Sequence, residues 1–206
     1  MLCLKELQLR AALFRSVHSY FTRADFLHVD TPVRHPVLIP ESNITPISSG
    51  KWFLQTSPEI CMKRLVATGC EKIYQICPCF RKEERGRRHL EEFTMLEWYR
   101  RGGNYLDLMT DCEALICYIA EDLLGFCRQI AEEALVDMEI LDNMHYLAVP
   151  WQRLTVKNAF INWSPVTLDK ALVDDCFDEI LVEYIEPESV KLNIENDNSF
   201  YYEFYF

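Results

Sequence analysis

Residues 79–99 read CFRKEERGRRHLEEFTMLEWY, and the interpretation of the whole sequence depends on this stretch. It carries five basic and five acidic residues between two apolar ends that are typical of β-strands. The pattern predicts strands over 73–83 and 92–100, joined by a charged loop around Gly86. A salt-bridged hairpin without a ligand is one interpretation, and a binding site is the other.

Side chains alternate between the two faces of a strand, so this hairpin has a predicted polar face. In an antiparallel pair that face displays Arg81, Glu83, Phe93, Glu97 and Tyr99, and the opposite face is mostly apolar. Arginine offers a planar fork for phosphate or carboxylate oxygens, an aromatic ring stacks on a flat base, and glutamates bind amines. We therefore expect a small-molecule site on a rigid platform.

Composition excludes several classes of protein. Half of the 206 residues are apolar, which excludes a disordered chain, and the net charge of −11 argues against non-specific wrapping of nucleic acid. No apolar run reaches membrane-spanning length, and the first residues do not resemble a secretory signal. The nine cysteines are scattered without a zinc pattern, which predicts reduced, mostly buried cytosolic thiols and no metal-ligating residues.

Periodicity outlines the rest of an α+β chain, an antiparallel sheet flanked by helices. Helices are predicted over 4–24, from Pro58 to Ala67 with an end at Gly69, over 105–124 with an end at Gly125, and over 153–163 and 167–184. Short strands are predicted over 26–29 and 52–55, and the proline-containing segment 33–50 is predicted as a loop with short extended pieces. The segment 128–149 fits a hairpin or a mixed structure.

The stretch FRKEERGRRHLEEFTMLEWY resembles motif 2 of class II aminoacyl-tRNA synthetases, an F-R-x-E strand, a loop and a return strand. The segments FLHVDTP and LQTSPEICMKRL resemble motif 1 and the segment before motif 2, in the family's order. The likeness is greatest to the lysyl-tRNA synthetase branch, and within it to the short elongation factor P (R)-β-lysine ligases, which lack an anticodon-binding domain. It implies an incomplete class II catalytic domain over 1–186 and an atypical tail over 187–206.

The resemblance also implies roles for individual residues. Arg81 is the implied catalytic residue, in contact with the ATP α-phosphate and the substrate carboxylate. The resemblance implies three further ATP contacts: Glu83 faces the adenine amine, His89 lies near the distal phosphates, and Phe93 stacks on adenine. The resemblance implies that Glu59, Glu97 and Tyr99 recognise the amino groups of the substrate. Taken without the resemblance, Glu59 is a first-turn helix acid and Tyr99 a strand residue of the core.

The implied reaction is ATP- and Mg²⁺-dependent activation of lysine or (R)-β-lysine as an adenylate, followed by transfer to a lysine of elongation factor P. A cytoplasmic homodimer with no membrane association is expected. Three alternatives remain open: a lysyl-tRNA synthetase catalytic fragment with tRNA as acceptor, a non-catalytic remnant that binds nucleotide or lysine, and an inert gene fragment.

The sequence departs from the family pattern at two places. Leu90-Glu91 stands where the family usually has Asn-Pro or Leu-Pro, which places an extra carboxylate beside the expected phosphate site. No glycine follows Gly125, so the glycine-rich motif 3, with its G-x-x-R arginine and late metal-binding acids, has no counterpart. We therefore expect this chain, taken alone, to bind ATP weakly and to form little adenylate.

Overall fold

The computed structural model describes residues 4–37, 40–86, 89–133, 149–164 and 166–174. The chain divides into two compact units, Met1–Trp151 and Gln152–Phe206. The elements of the first unit are, in chain order, α1 (Leu4–Arg23), β1 (Leu27–His28), β2 (Arg34–His35), β3 (Ser48–Ser49), β4 (Trp52–Leu54), α2 (Glu59–Ala67), β5 (Lys72–Phe80), β6 (Glu92–Arg100) and α3 (Tyr105–Glu133). The second unit contains α4 (Val156–Trp163) and α5 (Leu168–Asp174). The predicted tail 187–206, residues 134–148 and the predicted helix beyond residue 174 lie outside the described residues.

The main sheet has the strand order β1-β5-β6. The predicted hairpin is confirmed, since β5 and β6 pair antiparallel from Lys72 opposite Arg100 to Phe80 opposite Glu92. The short strand β1 joins the other side of β5 and runs parallel to it, so the sheet is mixed rather than wholly antiparallel. The α+β arrangement of sheet and helices is as predicted.

The first hairpin strand is shorter than the sequence predicts. It ends at Phe80, and the prediction that it continues to Glu83 is wrong. The backbone leaves the sheet because Lys82 N–H donates to the Thr45 carbonyl at 2.8 Å, and Glu83 adopts a φ of 68°. A positive φ is uncommon outside glycine and marks a turn, not a strand. Arg81 is therefore the first residue beyond the strand.

A second, smaller sheet lies in the segment predicted as a loop with extended pieces. Its three short strands have the order β2-β4-β3 and pair antiparallel. Gln55, just after β4, ties this sheet to the hairpin, because its carbonyl accepts a 2.9 Å hydrogen bond from Phe80 N–H. Its side-chain amide also donates to the Pro78 carbonyl at 2.7 Å.

The apolar face of the hairpin packs against the helices. Phe21 of α1 is fully buried and stacks on Tyr74 of β5, with ring centroids 4.5 Å apart. Phe26 and Trp98 contact the same ring of Phe21. Leu115 of α3 completes this aromatic core. The predicted apolar face is thus confirmed, and it fixes which side of the sheet is left for polar residues.

Two helix ends differ from their predictions. Pro58 is the N-cap residue of α2 rather than its first helical residue, and the helix is followed by Gly69 at a φ of 115°, as expected for a stop. The prediction that Gly125 ends α3 is wrong, because the helix continues to Glu133. A glycine inside a helix costs only about 1 kcal/mol, which the good helix formers on both sides offset.

Two short helices, α4 and α5, contact each other in the second unit. Thr155 caps α4 by accepting a 3.1 Å hydrogen bond from Asn158 N–H. Lys157 of α4 forms a 2.8 Å ion pair with Asp169 of α5, and Ala171 is fully buried. The predicted helix over 153–163 is confirmed with a start three residues later. Among the described helices of both units, none is long and apolar enough to cross a membrane.

The aromatic core yields the first prediction. Phe21→Ala removes a fully buried ring that contacts four aromatic neighbours, and it should lower the free energy of unfolding by about 3–5 kcal/mol. Urea unfolding followed by circular dichroism measures this loss. The matched control is Leu106→Ala on the exposed surface of α3, where we expect a change within about 0.5 kcal/mol. Equal losses for both variants would contradict the packing.

Candidate active site

The second face of the hairpin carries the candidate site. Alternation places the β6 side chains Phe93, Met95, Glu97 and Tyr99 on it, opposite Cys79, Cys77, Gln75 and Ile73 of β5 in that order. These residues lie across the sheet from the aromatic core, because Trp98 and Tyr74 occupy the alternate positions. The site therefore lies on the face of the hairpin that is opposite the packed aromatic core.

Glu97 is the central carboxylate of this face. One of its oxygens accepts a short hydrogen bond from the hydroxyl of Ser57, and the other accepts a 3.0 Å bond from the hydroxyl of Tyr99. Ser57 is buried and lies in the segment that leads into α2. A carboxylate has about four lone-pair directions, so two neutral donors fix its orientation and leave acceptor capacity for a cation.

Glu59 joins the site from the first turn of α2. Its backbone N–H donates to Ser57 Oγ at 3.1 Å, so a single hydroxyl links the start of this helix to Glu97. Its carboxylate pairs with Lys63 one turn along the helix. This hydrogen bond from the ammonium to Glu59, and then the charge of Glu59, raise the pKa of Lys63, and Glu97 adds to the rise. The site thus holds two carboxylates that attract ammonium groups.

Glu97 and Glu59 both affect the pKa of Tyr99. Burial raises the pKa of its phenol, and the charge of Glu97, the hydrogen bond to Glu97 and the charge of Glu59 raise it further. The phenol is therefore a hydrogen-bond donor throughout the physiological range. Tyr99 therefore interacts electrostatically with both Glu97 and Glu59.

Arg81 and Phe93 form the other end of the site. The guanidinium carbon lies 5.2 Å from the centroid of the Phe93 ring, and Nε donates to the Thr56 carbonyl at 3.4 Å. Glu84 lies 3.7 Å from the guanidinium. A half-buried arginine beside an aromatic ring offers both a charge for phosphate or carboxylate and a flat apolar surface for a base.

The loop residues of the predicted site are placed differently. Glu83 is in the turn beyond β5, its side chain is 74% exposed, and it pairs with Lys82. The structure therefore does not bring Glu83 to the sheet face, and the prediction that it shares this face is wrong because the strand ends before it. His89 is half-buried in the loop, where its carbonyl accepts a bond from Gly86 N–H. Arg87 and Arg88 lie outside the described residues.

Sequence reasoning missed two contributors. Ser57 lies just before the helix predicted from Pro58, and its hydroxyl donates a hydrogen bond to Glu97. Thr56 contributes its carbonyl to Arg81. Its position two residues before Glu59 indicates that Ser57 lies near the start of α2. That its hydroxyl donates to Glu97 follows only from the tertiary packing of α2 against β6.

The charged and aromatic residues of the site fit a nucleotide and an amino acid better than they fit Mg²⁺. Arg81 with Phe93 suits a phosphate and a base, and Glu97 with Glu59 suits ammonium groups. Within the described ranges, no group of three or more His, Cys, Asp or Glu side chains is arranged to hold a metal ion.

Comparison with known proteins identifies the family and the fold of this chain. The model of the family described as tRNA synthetases class II (D, K and N) matches residues 3–203. The fold resembles asparaginyl-tRNA synthetase from Pyrococcus horikoshii in complex with asparaginyl-adenylate, with a TM-score of 0.65 and 21% identity over 86% of this chain and 42% of that one. The fold is thus that of a class II synthetase. The chain belongs to the class II tRNA synthetase family of the D, K and N type.

Two kinds of curated relative are similar in sequence. The elongation factor P–(R)-β-lysine ligase of Vibrio atlanticus is 37% identical over 123 residues, which is 55% of this chain and 38% of that protein. The lysine–tRNA ligase of Dechloromonas aromatica is 33% identical over 176 residues, which is 82% of this chain and 33% of that protein. The chain therefore spans less than half the length of either relative.

The electrostatics of Tyr99 yield the second prediction. Because the folded pKa lies above the unfolded value of about 10, folding stability is fully present below pH ~10 and falls as the pH rises above it. In Tyr99→Phe the free energy of unfolding should therefore fall less as the pH rises above about 10. Urea unfolding at a series of pH values above 9 measures it, with Tyr105→Phe on the exposed surface as the control. An identical alkaline loss in wild type and Tyr99→Phe would contradict the assignment.

Proposed function

We propose that this chain provides the ATP- and amine-binding part of a ligase that activates lysine or (R)-β-lysine as an adenylate and passes it to a lysine of elongation factor P. One observation carries the proposal: Glu97, fixed by Ser57 and Tyr99 and accompanied by Glu59, shares a sheet face with the Arg81–Phe93 pair. Amine recognition and phosphate recognition thus occur on one platform.

Each part of the proposed site has a task. Glu97 and Glu59 bind the substrate's ammonium groups, and Tyr99 with Ser57 keeps the Glu97 carboxylate oriented. Arg81 holds the substrate carboxylate and the α-phosphate close together and offsets the charge that develops there, while Phe93 stacks on adenine. His89 and Glu83 are proposed contacts of the distal phosphates and of the adenine amine. Catalysis of this kind consists mainly of positioning and charge stabilisation. The Mg²⁺ that accompanies ATP is part of the proposal.

A second candidate function is supported by the extent of the similarity. The lysine–tRNA ligase match reaches 82% of this chain, against 55% for the elongation factor P ligase of Vibrio atlanticus. The chemistry up to the adenylate is the same, and only the acceptor differs, a tRNA in place of a protein lysine. Both acceptors belong to translation, so either function implies a cytoplasmic protein.

Amine recognition yields the third prediction. Glu97→Gln keeps the size of the side chain and an acceptor oxygen for Ser57 or Tyr99, but it removes the charge that binds ammonium. Losing a charged hydrogen bond costs about 1.5–3 kcal/mol, so the dissociation constant of L-lysine should rise about 10- to 100-fold. Isothermal titration calorimetry with the 206-residue chain measures this, and Glu121→Gln on the exposed surface of α3 is the matched control.

The same titration can also contradict the role proposed for Glu97. Norleucine lacks the side-chain amine, so it should bind poorly to the wild type and should be insensitive to Glu97→Gln. Undiminished lysine binding by Glu97→Gln would remove the assigned role of this carboxylate. Arg81→Met should abolish ATP binding, since it keeps the apolar stem and loses the fork.

Transfer assays separate the acceptors. The chain is incubated with ATP, labelled lysine or (R)-β-lysine, and either elongation factor P or a lysine tRNA. Labelled elongation factor P would support the proposal, and labelled tRNA would favour the second candidate. Lysine binding without transfer to either acceptor would identify a non-catalytic binding module.

Dimerisation through α1 and β1 is part of the proposal and gives the fourth prediction. The side chains of Leu4 and Leu7 on α1 and of Leu27 on β1 are at least half exposed, and β1 is an edge strand of its sheet. An exposed edge strand with an apolar neighbour favours pairing with a second copy. Sedimentation velocity at micromolar concentration should show a dimer that Leu27→Glu weakens at least tenfold and Leu106→Glu does not. A wild-type monomer would contradict it.

A further inference from the structure

Three sulfur atoms meet in the middle of the site face, and the proposed function does not use them. The Sγ atoms of Cys77 and Cys79 on β5 are 4.0 Å apart, and Sγ of Cys79 lies 3.9 Å from Sδ of Met95 on β6. Met95 is also the register partner of Cys77 across the hairpin. Both thiols are buried, with exposed fractions of 5% for Cys77 and 0% for Cys79.

The spacing of the sulfurs matches a shared ligand. A transition metal binds a cysteine sulfur at about 2.3 Å, so three sulfurs arranged in a plane around one ion lie about 4.0 Å from each other. The two separations from Cys79, 4.0 Å to Cys77 and 3.9 Å to Met95, agree with two edges of this triangle. The hairpin pairing holds all three side chains on one face, so the sheet geometry itself brings the donors together.

The donor types select the class of ion. Thiolates and thioethers are soft ligands that favour Cu(I), whereas structural zinc takes four cysteine, histidine or carboxylate ligands. In the part of the chain that the structure describes, no third His, Cys, Asp or Glu completes a set with the two thiols. Two thiols with one thioether suit a soft monovalent ion of low coordination number and do not suit zinc or magnesium.

We infer that Cys77, Cys79 and Met95 form a binding site for a single soft monovalent cation, with Cu(I) as the expected ion. Binding replaces the two thiol protons, which leave to solvent, and forms two sulfur–copper bonds, while Met95 contributes a lone pair. No electron is transferred, and copper stays in the +1 state. The resulting negative charge of the site is offset in part by Arg81, whose charge acts on Cys79.

The two thiols differ in a way that fits this chemistry. The hydrogen bond from Cys79 lowers the pKa of the Cys77 thiol despite its burial. The same contact and burial raise the pKa of Cys79. Binding of the ion displaces both thiol protons, so the affinity for Cu(I) should rise with pH.

The position of the cluster connects it to both ends of the candidate site. Cys79 is the register partner of Phe93, and the neighbouring pair on the face is Gln75 with Glu97. The charges of Arg81 and Glu97 both act on Cys79. An ion held by these sulfurs thus lies on the site face, between the Arg81–Phe93 pair and Glu97. The inference about the cation site itself does not depend on the proposed function.

The test is a competition for Cu(I) under anaerobic, reducing conditions, in which the chain removes the ion from a coloured Cu(I) chelator. Cys77→Ser and Cys79→Ser should each weaken Cu(I) binding at least about 100-fold, since changes next to the ligands alone cost about 10- to 100-fold. Met95→Leu, which conserves volume, should weaken it about tenfold. The control is Cys61→Ser, because Sγ of Cys61 lies 4.0 Å from Nδ1 of His35 and forms the rival soft pair.

The outcomes separate the cluster from the other thiols. Unchanged Cu(I) affinity in Cys77→Ser and Cys79→Ser, or a loss confined to Cys61→Ser, would overturn the inference. Circular dichroism and urea unfolding of each variant show whether it is folded. X-ray absorption of the wild-type chain with one equivalent of Cu(I) needs no variant: a shell of three sulfurs supports the site, and a nitrogen-containing or two-sulfur shell overturns it.

Discussion

Antiparallel pairing of β5 with β6 is the constraint on which the rest of the structure depends. Side chains alternate strictly along paired strands, so the positions that send Trp98 and Tyr74 into the aromatic core also send Glu97 and Tyr99 to the other face. A slip of one residue would place the Glu97 carboxylate against Phe21 and expose Trp98. The register that stabilises the core is therefore the register that builds the candidate site, and neither can change alone.

The hairpin needs support from outside to become a site. Gln55 joins the second sheet to β5 through Phe80 and Pro78, and this fixes the segment that carries Thr56 and Ser57. Ser57 then bridges the N-terminus of α2 and the Glu97 carboxylate. Buried polar groups of this kind are costly when unpaired, so the network holds α2 at one distance from β6. The positions of Glu59 and Glu97 are coupled through one hydroxyl.

Periodicity predicted the parts of the structure that follow from local rules. Local rules predicted α1, the two hairpin strands and their apolar and polar faces. Because side chains alternate along a strand, they also predicted that one face carries Arg81, Phe93, Glu97 and Tyr99. The same rule failed at Glu83, because the strand ends where tertiary hydrogen bonds pull Lys82 away. It also could not predict Ser57, whose partner belongs to a strand forty residues later. Contacts between elements distant in sequence carry no periodic signal.

Glu91 occupies hydrogen-bond donors of the hairpin loop. Its carboxylate accepts a 2.9 Å bond from Glu83 N–H and a 2.6 Å bond from the Arg85 guanidinium, and these two contacts lower the pKa of Glu91. A backbone N–H in a positive-φ turn beside an arginine is a set of donors that also suits a phosphate. In this chain an internal carboxylate already satisfies these donors, so the loop keeps its turn without a ligand. Any anion that uses them must first displace Glu91, and its binding is weakened by the loss of that carboxylate's contacts with Arg85 and with Glu83 N–H.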